Sequence, residues 1–174
     1  AHLWFVTLHP FDDGNGRLAR AVSDYALAQG EHQSIRYYAM ASSIMENRNG
    51  YYDALERTQK GDGDITGWMV WFVDTLIATL NTALMRIDVV LLKARFWQLH
   101  GQAGFKPEQI KVLNRLLDTG PGGFEGYLSA AKYQRIAKVS KATATRHIKD
   151  MLEKNCITQL EGGGRSTRYD LCWP

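Results

Sequence analysis

Cysteine is scarce: Cys156 and Cys172 are the only two in 174 residues. Two thiols so placed make neither a disulfide framework nor a C-x-x-C metal pair, so a reducing setting, the cytoplasm, is expected. No uncharged apolar run reaches membrane-spanning length. The greasiest stretch, Ile65 to Leu99, is cut by Asp74, Arg86, Asp88, Lys93 and Arg95, which argues against a membrane protein. The start shows no signal-peptide pattern. Repeats and low-complexity segments are missing, and a composition of 45% apolar, 22% charged and 11% aromatic residues excludes a disordered or collagen-like chain. What remains is globular, long enough for one medium domain or two small ones. The chain opens Ala1-His2-Leu3, already inside an apolar helical pattern, so a fragment of a longer protein is expected.

The net charge of +3 hides an asymmetry: residues 1–106 carry 10 basic and 11 acidic groups, residues 107–174 carry 11 and 7. Two units with different partners are expected, residues 1–100 and 101–174, with Gly101, Gly104 and Pro107 interrupting helical periodicity between them. In the first unit, Leu3-Trp4-Phe5-Val6-x-Leu8 reads as a helix end, and Pro10 places His9 at its C-terminal mouth. A helix from about Arg17 to Gly30 follows, with Leu18, Val22, Tyr25 and Ala26 on one face. Further helices are predicted over Ser34–Glu46, Tyr51–Lys60 and, N-capped by Asp64, from Thr66 to about Leu99. Trp68, Trp71 and Phe72 at helical spacing read as core. The second unit predicts helices over Pro107–Asp118, Leu128–Lys138 and Lys141–Asn155. Two β-like runs, Thr158–Leu160 and Thr167–Leu171, are joined by Gly162–Ser166. The fold class is mainly α, a helical core followed by a small α+β domain.

The chemistry concentrates in His9-Pro10-Phe11-Asp12-Asp13-Gly14-Asn15-Gly16-Arg17-Leu18-Ala19-Arg20. Its glycines let backbone N–H groups converge on a nest to which the next helix adds its positive end, a cradle for phosphate. Arg17 and Arg20 share a helix face, and cations in a first turn are misplaced unless an anion docks there. Asp13 is placed to hold Mg²⁺ shared with substrate phosphates. His9 is the group suited to exchange a proton near neutral pH. Base, metal carboxylate, anion nest and two arginines together point to phosphoryl or nucleotidyl transfer.

This run fits the H-x-F-x-[DE]-G-N-G-R-x-x-R signature and so resembles the Fic-domain proteins (filamentation induced by cyclic AMP); Ala1-His2-x-x-Phe5-x-x-Leu8 resembles the helix before it. The looser resemblance reaches about residue 100. It implies a protein adenylyltransferase that moves AMP from ATP to a Ser, Thr or Tyr hydroxyl of a protein target. By that resemblance His9 is the general base and Asp13 the Mg²⁺ ligand. Gly14, Asn15 and Gly16 form the anion hole, Arg17 and Arg20 hold the ATP phosphates, and Phe11 is a buried anchor. Tyr51-Tyr52-Asp53-Ala54-Leu55-Glu56, with Gln59, resembles the family's nucleotide-contacting helix, so Tyr51, Tyr52 and Gln59 are further ATP-site candidates. Ser42 to Asn47 matches the short pattern of Fic inhibitory helices, but its position after the motif assigns that match to coincidence.

The second unit reads as a helix-turn-helix with a wing at Gly162–Ser166. Lys132, Arg135, Lys138, Lys141, Arg146 and Lys149 fall between Leu128 and Lys149 with no acid among them. Lys141, Thr143, Arg146, His147 and Arg165 are the candidates for DNA contact. A winged helix serves equally for protein substrate or self-association, self-modification included, which is the favoured use here. Three functions follow: AMP transfer, AMP removal or transfer of another phosphate-linked group at the same site, and a nucleotide-sensing DNA-binding regulator. Because the segments that would position a target lie upstream in the family, the isolated chain is expected to transfer little.

Overall fold

The computed structural model describes residues 1–31, 38–161 and 167–174. The described chain is mainly helical with one two-stranded sheet, and it divides into two compact units, Ala1–Met85 and Arg86–Pro174.

The first unit holds α1 (His2–Leu8), α2 (Asn15–Glu31), α3 (Met40–Glu46), α4 (Arg48–Gln59) and the opening turns of α5 (Thr66–His100). Its core is Leu3, Met40, Ile44, Tyr51, Leu55 and Trp68, flanked by partly buried Trp71 and Phe72, as the helical spacing of the aromatics predicts. His9 ends α1 in the left-handed region at φ 47°, ψ 54°, just before Pro10, which disfavours helical backbone at the residue it follows. The second helix starts at Asn15, two residues before the predicted Arg17, because Gly14 O already accepts Leu18 N at 3.0 Å. Asp64 accepts the Thr66 amide at 2.8 Å and sets the start of α5 where predicted. Two further boundaries differ. Of the predicted Ser34–Glu46 helix the described part is helical only from Met40, since Ala39 is extended at φ −132°; residues 34–37 lie outside the described residues. α4 starts at Arg48 rather than Tyr51, because the Asn47 side chain accepts Gly50 N at 3.3 Å and caps it early. By length and composition α5 is apolar enough to cross a membrane.

The second unit holds the closing turns of α5, then α6 (Pro107–Leu117), α7 (Ala130–Ala137), α8 (Lys141–Glu153), β1 (Ile157–Gln159) and β2 (Tyr169–Leu171). The strands pair antiparallel with Ile157 opposite Leu171, and Leu128 adds a bridge to Tyr169. That bridge shortens the predicted Leu128–Lys138 helix: Leu128 is extended and Ser129 caps α7 through Lys132 N. Phe96, Leu113, Leu117, Tyr133, Ile148 and Met151 fill the core. Buried Gln109 satisfies every arm: its oxygen accepts Lys106 N at 2.8 Å, and its nitrogen donates to His147 O at 3.2 Å and Asp150 Oδ2 at 2.7 Å. Between α7 and α8, Lys138 takes φ 56° and Ser140 caps α8 through Thr143 N at 3.2 Å. The residues 162–166, read from sequence as a wing, lie outside the described residues.

Cys156 is buried, donates its thiol to Met151 O at 3.2 Å, and has its pKa pushed up to about 12 by burial. The thiolate is the reactive form. Cys156 is therefore expected to resist iodoacetamide at pH 8 in the folded protein and to react once urea unfolds the unit. Mass spectrometry of the alkylated peptide reads this directly, and alkylation of Cys156 in the native state would refute it.

Candidate active site

The loop from His9 to Gly14 is shaped by side chain–backbone bonds. Asn15, only 2% exposed, accepts Phe11 N–H at 3.1 Å through Oδ1 and donates to Phe11 O through Nδ2, closing the loop on itself. Gly14 takes φ +82°, a conformation costly for any residue with a Cβ. The first amides of α2, at Asn15, Gly16 and Arg17, have no preceding carbonyl within the helix and open outward. Nest and helix end thus coincide, as an anion site requires.

Around that nest lies an open cleft of about 450 Å³ lined by His9, Asp12, Asp13, Gly14, Asn15, Gly16, Arg17, Arg20, Met45, Arg48 and Tyr52. Arg17 Nη2 donates to Asp13 Oδ2 at 3.3 Å, and both side chains are largely exposed. Such a pair contributes little stability and is readily exchanged for a better partner. Arg20 folds back toward the nest, its Nη1 lying 3.6 Å from where a Cβ on Gly16 would stand. Arg48 lies over the ring of Tyr52, its Cζ 5.5 Å from the centroid. The cleft therefore joins a cationic floor to an aromatic side wall.

All of the 9–20 candidates line this one cleft: His9, Asp13, Gly14, Asn15, Gly16, Arg17 and Arg20. The other candidates are placed differently. Tyr52 lines the cleft, whereas Tyr51 is 4% exposed and packs against Trp68 and Trp71 in the core. Gln59 lies away from the cleft at the end of α4, where it donates to Thr7 Oγ1 at 3.1 Å. Phe11, expected to be a buried anchor, is 53% exposed and touches Phe5 in a tilted ring contact with centroids 6.2 Å apart. Its backbone, not its ring, is what the loop grips. Glu46 lines a separate cavity with Trp71 and Asp74. Met45 and Arg48 escape sequence reasoning because α3–α4 packing, not the motif, brings them in. A cation at the first position of α4 was the available signal for Arg48.

In the second unit Lys141 and Arg146 are exposed on α8, and Thr143 is half-buried beside its cap. His147 is 4% exposed and bonds Tyr133 Oη through Nδ1 at 2.9 Å, so it faces the core and not a groove. Its burial lowers its pKa. Arg165 lies outside the described residues.

Behind the cleft, His2 is 4% exposed and its pKa is lowered to about 4, first by burial and then by the Arg20 guanidinium. The unfolded chain binds this proton near 6.5 and the folded one only near 4. Between those values the unfolded state holds more protons, so the stability from neutral His2 is complete above 6.5 and declines as pH falls toward 4. Urea unfolding of the first unit is expected to lose stability over this window, and His2→Gln to flatten that slope. An unchanged slope in the variant would contradict the assignment.

Residues 1–27 match the model of the Fic/DOC family. The match covers α1, the loop and the arginine-bearing start of α2, the segment that supplies the cationic floor of the cleft.

Proposed function

We propose that this protein is a Fic-type protein adenylyltransferase, moving AMP from ATP to a hydroxyl of a protein target. The observation that carries the reading is the convergence of His9, Asp13, the α2 amides, Arg17 and Arg20 on one cleft that Tyr52 and Arg48 close from the side. Among the described residues no group of three or more His, Cys, Asp or Glu side chains could hold a metal ion. The Asp13 carboxylate, lining the cleft beside the start of α2, fits Mg²⁺ arriving with a nucleotide, bound by a carboxylate and the phosphates rather than by a protein cage. Asp13 would hold it, and the ion would supply charge neutralisation between the α- and β-phosphates.

The α2 amides, Arg17 and Arg20 bind the phosphate oxygens, which draws the Arg17 guanidinium away from Asp13, leaving that carboxylate as the group that would hold the ion. His9, exposed at the lip, accepts the proton of the target hydroxyl as that oxygen attacks the α-phosphorus. The new O–P bond forms as the α–β bridge bond breaks, and pyrophosphate leaves with the electron pair. The adenosine end lies toward Tyr52, whose ring face suits a base or ribose. Removal of AMP, or transfer of another phosphate-linked group, uses the same atoms and is separated from this reading only by the label. ATP labelled on the α-phosphate, incubated with Mg²⁺ and the protein, is expected to leave label on protein, at the low level expected of these residues alone. Label released from a modified target, with none gained, would replace transfer by removal.

For the second unit we propose a winged-helix module for protein or self-association. The order α6, Leu128 bridge, α7, α8, β1, β2 supports that architecture. The exposed Lys141 and Arg146 keep DNA as the competing partner, and the burial of His147 removes one of its contacts.

A further inference from the structure

One buried imidazole sits where three of the helices that carry the cleft, α1, α2 and α4, meet. His2 is on α1, two turns before His9. Its Nδ1 lies 2.7 Å from Ser23 Oγ on α2, one turn beyond Arg20. Its Nε2 lies 3.0 Å from Tyr51 Oη on α4, next to Tyr52. Trp68 and Phe72 of α5 pack on the ring with centroids 5.5 and 6.3 Å away.

The direction of each bond follows from proton counting. Ser23 Oγ donates to Ala19 O at 2.9 Å, so its single proton is spent. It can only accept from His2, which places the imidazole proton on Nδ1. Nε2 then carries the lone pair and takes the Tyr51 phenol proton. Every polar atom of the chain Tyr51–His2–Ser23–Ala19 is satisfied in one order only. An added proton on Nε2 would face the phenol's O–H and set a second cation beside Arg20. The Ala19 carbonyl, Arg20 and Ser23 on α2 and Tyr51 on α4 are the polar and charged groups around the ring; α5 offers only the rings of Trp68 and Phe72.

We propose that His2 is a positioning residue: as the neutral Nδ1–H tautomer it registers α1, α2 and α4 against one another and so sets His9, Arg20 and Tyr52 in a single cleft geometry. Its consequence for nucleotide rests on the function proposed above, whereas the proton order does not. Long-range ¹H–¹⁵N spectra, with His2 assigned by its loss in His2→Gln, should show Nδ1 protonated and Nε2 bare at pH 7. An Nε2–H tautomer, or titration alongside exposed imidazoles, would overturn the proposal. Tyr51→Phe removes only the phenol proton donor and keeps the ring in the core. It should shift the amides of Asn15 to Arg20 and weaken binding of ATP with Mg²⁺ roughly fivefold. His2→Gln/Tyr51→Phe should bind no more weakly than His2→Gln alone. Unmoved α2 amides in Tyr51→Phe would refute the positioning role even in a folded variant. If the unaltered protein binds no ATP, the transferase reading fails, and the tautomer spectrum and the amide shifts still decide the role of His2.

Discussion

His9→Ala is expected to remove protein labelling from α-labelled ATP by at least about a hundredfold, the usual scale for loss of a general base. ATP binding should persist, because the phosphates are assigned to α2 and not to His9. The residue's backbone lets chemistry be separated from folding. His9 sits in the left-handed region without a glycine, which costs an L-residue about 1–2 kcal/mol. His9→Gly relieves that strain and loses a similar amount, about 0.5–1 kcal/mol, in backbone entropy. The glycine variant should therefore fold about as well as the parent and still transfer nothing. Labelling within about tenfold of the parent in either variant would deny His9 the role of base. Loss of labelling together with loss of ATP binding would assign it to the phosphates instead.

What could be read in advance was the part written contiguously. His9 to Arg20 spans one turn and one helix start, so spacing alone fixes which side chains share a floor. Pro10 located the end of α1, and Asp64 the start of α5, through local bonds that a sequence displays. The side wall was less legible, because Tyr51 and Tyr52 are equivalent as letters. Only the packing of α4 on Trp68 and Trp71 decides that Tyr51 turns inward and Tyr52 faces the cleft. His147 was misassigned for the same reason: it follows exposed Arg146 but lies three residues from Ala144 on the buried face of α8, where Tyr133 of α7 receives it. Phe11 shows the converse error. The family resemblance implies a buried ring at Phe11, yet the bonds that hold the loop come from Asn15 to the Phe11 backbone.

Asn15 therefore carries the second large prediction. In the motif it reads as part of the anion hole, but its side chain is committed to the loop. Asn15→Ala strips both partners from the partly buried Phe11 peptide groups, and each orphaned group costs about 1–3 kcal/mol. The loop can recover part of this by opening to water, which moves His9 and Asp13 relative to α2. A displacement on the order of 1 Å is enough to lower transfer about a hundredfold. Asn15→Asp tests the same bonds with opposing effects. A carboxylate at the first position of α2 gains about 0.3–1 kcal/mol from the helix end. It loses the donor to Phe11 O, worth more, and sets an oxygen against that carbonyl. Asp should thus be less stable than Asn at pH 7 and regain stability in acid, where a protonated carboxyl can donate again. Wild-type transfer and stability in Asn15→Ala would mean that the bond from Gly14 N–H to Asp13 Oδ1 at 2.6 Å and the Arg17–Asp13 pair suffice to shape the loop, and Asn15 would revert to a ligand contact.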